Sequence, residues 1–154
     1  MKLIKKKIAF LFFFLLFHVS NFAQTFGNEW INYSQQYFHF PIAETGIYRL
    51  DFETINSHLI NYGVSINNIP HSNFQVFGKE NEVSLIIKDN NNNGFLDSLE
   101  YIEFYAEKND GWLDSLVYDS AHFLPDNYYS LFNDTIRYYF SWNNSTNNKR
   151  TIIE

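Results

Sequence analysis

Leu99-Glu100-Tyr101-Ile102-Glu103-Phe104-Tyr105-Ala106 is the stretch on which the fold class turns. It is rich in aromatic and β-branched residues, and it is bounded by Asp/Asn/Ser-rich sequence on one side and by the turn signal Asn109-Asp110-Gly111 on the other. Those are the marks of a β-strand. Side chains in a strand alternate between faces, so Tyr101, Glu103 and Tyr105 share one face. The pattern leaves open which face is buried.

Runs of the same kind lie on both sides of it. Tyr37-Phe38-His39-Phe40-Pro41-Ile42 reads as a strand, with Pro41 marking an edge or a bulge. After the turn Glu44-Thr45-Gly46, Ile47-Tyr48-Arg49-Leu50 reads as a second strand, and the two are expected to form a hairpin. Phe74-Gln75-Val76-Phe77, Val83 to Ile87, Leu113 to Tyr118 and Thr135 to Trp142 add further strands. One helix is expected. Asp51 offers an N-cap, Phe52, Ile55, Leu59 and Tyr62 recur at helical spacing, and Gly63 supplies the stop. The expected fold is therefore mainly β: an antiparallel sandwich or barrel-like domain with one short helix, following a signal peptide.

The signal peptide is read from residues 1–23. Lys2, Lys5, Lys6 and Lys7 precede an apolar run from Ile8 to Phe17, and Ala23 offers a small residue for cleavage. Ten helical residues cover about 15 Å, half of a hydrocarbon core of about 30 Å, so the run is too short for an anchor. No cysteine is present to carry a lipid. Export is expected, to the periplasm, the outer membrane or the cell surface. Residues 24–142 form the expected β-rich domain. Residues 143–154 read as a polar linker followed, at Thr151-Ile152-Ile153, by the start of a missing downstream region.

Charge narrows the partners. The leader holds four of the eleven Lys/Arg and none of the seventeen Asp/Glu, which leaves the mature chain near a net charge of −10. Nucleic acid and anionic membrane surfaces require basic patches and are excluded as expected partners. The chain lacks cysteine, and with it any thiol nucleophile or thiolate ligand. No G-x-S-x-G elbow and no glycine-rich phosphate loop occurs. His39, His58, His71 and His122 are isolated from one another, and none stands at metal-ligand spacing.

One motif does carry chemistry. Asp89-Asn90-Asn91-Asn92-Asn93-Gly94-Phe95-Leu96-Asp97-Ser98-Leu99-Glu100 matches the calcium-loop template D-x-[DN]-x-[DN]-G-x5-E at every specified position. Side-chain oxygens of Asp89, Asn91, Asn93 and Asp97, the Phe95 carbonyl and a bidentate Glu100 are the candidate ligands for one Ca²⁺, with Gly94 allowing the sharp turn. The flanks read as strands rather than the helices of an EF-hand. Three of the six ligands are neutral amides or a carbonyl, which lowers the expected affinity. The competing reading is an Asn/Asp-rich β-turn in a chain already rich in Asn.

Several segments carry a resemblance. Glu29-Trp30-Ile31-Asn32, Tyr37 to Ile42, Gly46 to Leu50, Phe74 to Lys79 and Val83 to Ile87 are followed by Tyr101-Ile102-Glu103-Phe104-Tyr105-Ala106-Glu107-Lys108-Asn109-Asp110-Gly111-Trp112-Leu113-Asp114 and by Tyr128 to Thr135. From about Glu29 to Trp142 the chain resembles the N-terminal region of gingipain-type cysteine peptidases and the PorU-like sortases of the type IX secretion system of Bacteroidetes. The resemblance implies a non-catalytic module, acting in folding or docking, ahead of a peptidase domain with a His/Cys dyad. Its partners would be that downstream domain or components of the secretion system. No catalytic residue is carried over, because the nucleophile is absent from this chain. The alternative is a stand-alone exported binding protein, calcium-stabilised or carbohydrate-binding, for which exposed aromatics would stack on sugars.

Overall fold

A computed structural model describes residues 27–117, 123, 125, 126, 128–145 and 147–151. The proposed leader and the end of the chain lie outside the described residues. Among these residues the fold is mainly β, with seven strands in two antiparallel sheets and no closed barrel. The four-stranded sheet runs β1 (Phe38–Ile42), β7 (Ile136–Trp142), β3 (Phe74–Gly78), β4 (Asn81–Val83). The three-stranded sheet runs β2 (Gly46–Asp51), β6 (Tyr101–Ala106), β5 (Ile86–Lys88). One helix, α1 (Phe52–Leu59), leads into a 3-10 turn at Ile60–Tyr62.

The sheets meet through their aromatic faces. On β6 the question left open by alternation is answered: Ile102, Phe104 and Ala106 are buried. Tyr101, Glu103 and Tyr105 point away from the core. Phe104 lies 5.7 Å from Phe40 and 6.3 Å from Tyr138, ring centre to ring centre, joining strands of different sheets. Ile55 and Leu59 of α1 close one end of the same core with Ile66, Phe74, Leu85 and Leu96. Each such fully buried side chain contributes about 1.5–3 kcal/mol of transfer free energy.

The outer face of the four-stranded sheet is also covered. All five residues of β3 are buried, because the lead-in segment packs on the far side. Trp30 sits 5.3 Å from both Phe77 and Tyr139. Gln35 Nε2 donates to Gln75 Oε1 and to the Trp142 carbonyl, pairing the polar side chain that β3 buries on that face. Gly78 ends β3 where the Tyr138 ring lies against the backbone, and any side chain there would overlap that ring. The β3–β4 turn places Lys79 at φ +48° and Glu80 at φ +64°, both left-handed, as a two-residue hairpin requires.

Four local expectations change. The strands at 38–42 and 46–51 are present but do not form a hairpin. β1 pairs with β7 and β2 with β6, so the chain turns a corner from one sheet to the other. Val83 to Ile87 is likewise two strands in two sheets, with Leu85 buried at the crossing. The stretch from Leu113 is a 3-10 turn at Asp114–Val117 rather than a strand, with Leu116 and Val117 on the surface. The Asp51 side chain makes no capping bond, whereas Gly63 does end the helical stretch at φ +75°.

The polar stretch after β7 is held to the domain. Asn148 is buried and donates to the Ser72 carbonyl. Arg150 Nη2 lies within 2.8–2.9 Å of the carbonyl oxygens of His71, Ser72 and Phe74. The Leu85 N–H donates to the Lys149 carbonyl and the Thr151 N–H to the Leu85 carbonyl, a parallel bridge beside β5. Among the described residues no helix is long and apolar enough to cross a membrane.

Candidate metal loop between β5 and β6

Residues 89–100 connect β5 to β6, two adjacent antiparallel strands, so the flanks are strands, as the sequence implied. The loop turns on its short polar side chains. Asn91 Oδ1 accepts the Asn93 N–H and Asn93 Oδ1 accepts the Phe95 N–H, two successive Asx turns. Asn92 adopts φ +55°, which Asn tolerates, and Gly94 adopts φ +84°. Gly94 is required for its backbone alone, since a Cβ built there meets no neighbouring atom within 4 Å.

Two carboxylates organise the ends. Asp89 Oδ2 accepts the Gly94 N–H at 2.9 Å and faces His71 Nε2 at 3.0 Å. Burial acts to raise the Asp89 carboxyl. The Gly94 N–H, the His71 ring and the N–H groups of Asn92 and Asn93 outweigh it and hold the carboxyl below its ordinary value. At the other end Glu100 is 2% exposed. Its Oε1 accepts the Asn90 N–H at 2.7 Å and its Oε2 the Asp97 N–H at 2.8 Å. Turning Glu100 inward places Leu99 at φ +66° with its side chain in solvent, a left-handed conformation that costs a non-glycine residue about 1–2 kcal/mol.

The loop is anchored from three directions. The His71 N–H donates to the Gly94 carbonyl, so His71 holds the loop through its backbone as well as its ring. Glu53 at the start of α1 accepts from the Ser98 hydroxyl at 2.8 Å, and this bond draws its carboxyl downward. The Phe52 N–H donates to the Glu100 carbonyl. The part played by His71 was not legible in the sequence: it lies eighteen positions before Asp89, and only the tertiary fold joins them.

The six residues picked out by the template are thus gathered in one connection, but not all around one point. Asn91 Nδ2 and Asn93 Nδ2 both donate to Asp97 Oδ2, at 3.1 and 2.6 Å, so these three side chains converge. Both Glu100 oxygens are directed to backbone N–H groups. Among the described residues no three His, Asp or Glu side chains come together as a metal-holding group. Two side-chain atoms stand apart. Asp89 Oδ1 is buried and has no hydrogen-bond partner, as is His71 Nδ1. A buried carboxylate oxygen without a partner is costly, and such groups are usually satisfied by a water or an ion.

Comparison of the chain with known protein families, with curated protein sequences and with solved structures gave no match.

Proposed function

We propose that this chain is a non-catalytic β-sandwich module of an exported protein, and that its β5–β6 loop is completed by Ca²⁺. The observation that carries the reading is the orphaned Asp89 Oδ1, buried at the first position of the loop while Oδ2 is fixed by the Gly94 N–H. The donor chemistry fits a hard cation, since every candidate ligand is an oxygen. Asp89, Asn91, Asn93, Asp97 and Glu100 would hold it through side chains and Phe95 through its carbonyl. The ion would supply positive charge to a connection whose carboxylates face no Lys or Arg partner among the ion pairs of the described residues. The side chains of Asn91, Asn93 and Asp97, which now bond one another, and the Glu100 carboxylate, which now accepts the Asn90 and Asp97 N–H groups, would exchange those bonds for the ion.

The parent protein is proposed to be a gingipain-like cysteine peptidase or PorU-like sortase of the type IX secretion system. The support is the resemblance of residues 29–142 to the N-terminal region of that family. The module would act in folding of the downstream domain or in docking to secretion components.

Two measurements test these readings separately. Isothermal titration of the mature chain with CaCl₂ is expected to show one saturable site, lost in Asp89→Ala. Absence of binding at millimolar Ca²⁺ removes the ion from the account. Mass spectrometry of the native polypeptide that carries this module is expected to find peptides of a Cys/His peptidase domain in the same chain. A native polypeptide without them removes the sortase assignment.

A further inference from the structure

At the opposite end of β6 from the Asp89–Glu100 loop, a cleft of about 530 Å³ opens between the start of β2 and the loops that follow β6. It is lined by Thr45, Tyr105, Glu107, Lys108, Asp110, Tyr128 and Tyr129. The volume is within the ordinary range of small-molecule sites, roughly 300–1,000 Å³.

The three lining tyrosines are exposed. Tyr105 is 53% exposed, Tyr128 75% and Tyr129 58%. Of the lining carboxylates, Glu107 Oε2 and Asp110 Oδ2 accept from Lys79 Nζ, at 2.7 and 2.8 Å. Asp110 Oδ1 accepts the Trp112 N–H, the Glu107 N–H donates to the Tyr138 hydroxyl, and Thr45 Oγ1 accepts the Lys108 N–H. Two carboxylates are thus held in place with their lysine already bound. Lys108 Nζ sits 3.9 Å over the Tyr129 ring.

Charge selects the ligand class. Glu107 and Asp110 are balanced by Lys79 and Lys108, a local neutrality in a chain that is strongly acidic overall. An anion would meet two carboxylates. A cation would compete with two ammonium groups that already occupy the carboxylates and one aromatic face. A neutral ligand with apolar faces and many hydroxyl groups meets neither obstacle: its C–H faces stack on the tyrosines and its hydroxyls donate to pre-positioned carboxylate oxygens. We infer that this cleft binds a neutral saccharide, through Tyr105 and Tyr128 as stacking surfaces and Glu107 and Asp110 as hydroxyl acceptors. The inference does not depend on calcium in the β5–β6 loop or on the identity of the parent protein.

The test is calorimetric titration of the mature chain, in EDTA, with neutral hexasaccharides of β-1,4-glucose, β-1,3-glucose, α-1,4-glucose, β-1,4-mannose and β-1,4-xylose. Saturable binding of at least one is expected. Tyr105→Ala and Tyr128→Ala should each weaken it about five- to tenfold, whereas Tyr105→Phe, which keeps the ring, and Tyr33→Ala, outside the cleft, should leave it unchanged. Melting curves establish that each variant is folded, and Tyr128→Ala, on a loop, serves if Tyr105→Ala disturbs β6. No binding of any of the five at several millimolar overturns the inference. So does binding that survives both alanine variants, and so does tyrosine-dependent binding of tetramethylammonium without any saccharide, which would make the cleft an aromatic cage for cations.

Discussion

The connection entering β6, residues 89–100, is composed mostly of Asp, Asn, Gly and Ser, and yet it ends in a glutamate that is 2% exposed and encloses the buried Leu96. The connection leaving β6 carries Leu113, Leu116, Val117, Tyr128, Tyr129, Leu131 and Phe132, and all seven are exposed. Composition would assign burial the other way round. What separates the two is where backbone donors point. In the first, single carboxylates collect N–H groups: Glu100 those of Asn90 and Asp97, and Asp89 that of Gly94. The chain wraps around them. In the second, Asp114 accepts from the Leu131 N–H and the Ser130 hydroxyl, which fixes the base of the connection and leaves its apolar side chains outside. A polar loop can enclose a buried carboxylate and a buried apolar side chain, here Glu100 and Leu96, when its own side chains satisfy its backbone.

If that is the difference, the two connections must respond unequally to substitution. The largest effect is expected at Glu100. Glu100→Ala removes the acceptor of two part-buried N–H groups, those of Asn90 and Asp97, and empties the space of a side chain that is 2% exposed, so a loss of about 2–4 kcal/mol in denaturant unfolding is expected. Gly94→Ala should cost about 1–2 kcal/mol through its left-handed backbone alone, since nothing obstructs the added methyl.

The link from Lys79 to Asp110 should be worth less, about 0–1 kcal/mol, because both groups reach solvent. It has a signature in pH. Burial acts to raise the Asp110 carboxyl, but the hydrogen bond and the charge of Lys79 outweigh it and lower the pKa on folding. A lowered carboxyl stabilises the fold above its unfolded value, about 3.9, and that contribution is lost as pH falls through the folded value. Melting temperature measured from pH 5 down to pH 2 should therefore decline more steeply in the parent than in Asp110→Asn. The smallest effect is expected in the second connection: Leu116→Ser should change stability by less than about 0.5 kcal/mol, and a loss above about 1.5 kcal/mol would show that its apolar residues are not as free as their exposure implies.

Much of the fold was legible from local pattern. Phe38–Ile42, Phe74–Gly78, Tyr101–Ala106 and Ile136–Trp142 are strands because aromatic and β-branched residues fill them, and Phe52–Leu59 is a helix because its apolar residues recur at helical spacing. Pairing was not legible. The short connection between Ile42 and Gly46 suits a hairpin as well as a corner, and what decides is that Phe40 and Phe104 must meet across the core from different sheets. The two strands around Leu85 were missed for the same reason: a continuous apolar run hides the residue at which the chain changes sheets. For the candidate site, the six positions from Asp89 to Glu100 came from a motif, whereas His71, Glu53 and Arg150 reach it or its surroundings only through tertiary contacts.

The most direct measurement is the melting temperature of the chain without its proposed leader in EDTA and in rising CaCl₂, with MgCl₂ as control. Three neutral ligands among six place the expected Kd in the range of exported calcium modules, about 10⁻⁴–10⁻³ M. At about ten times Kd the fold gains about 1.4 kcal/mol, a rise of several degrees that saturates with concentration. The rise should vanish in Asp89→Ala and be weaker with Mg²⁺. A melting temperature that is the same in EDTA and in 10 mM (roughly ten times the upper Kd) CaCl₂ would contradict the account, and the Asp89–Glu100 loop would then be a turn closed by its own side chains.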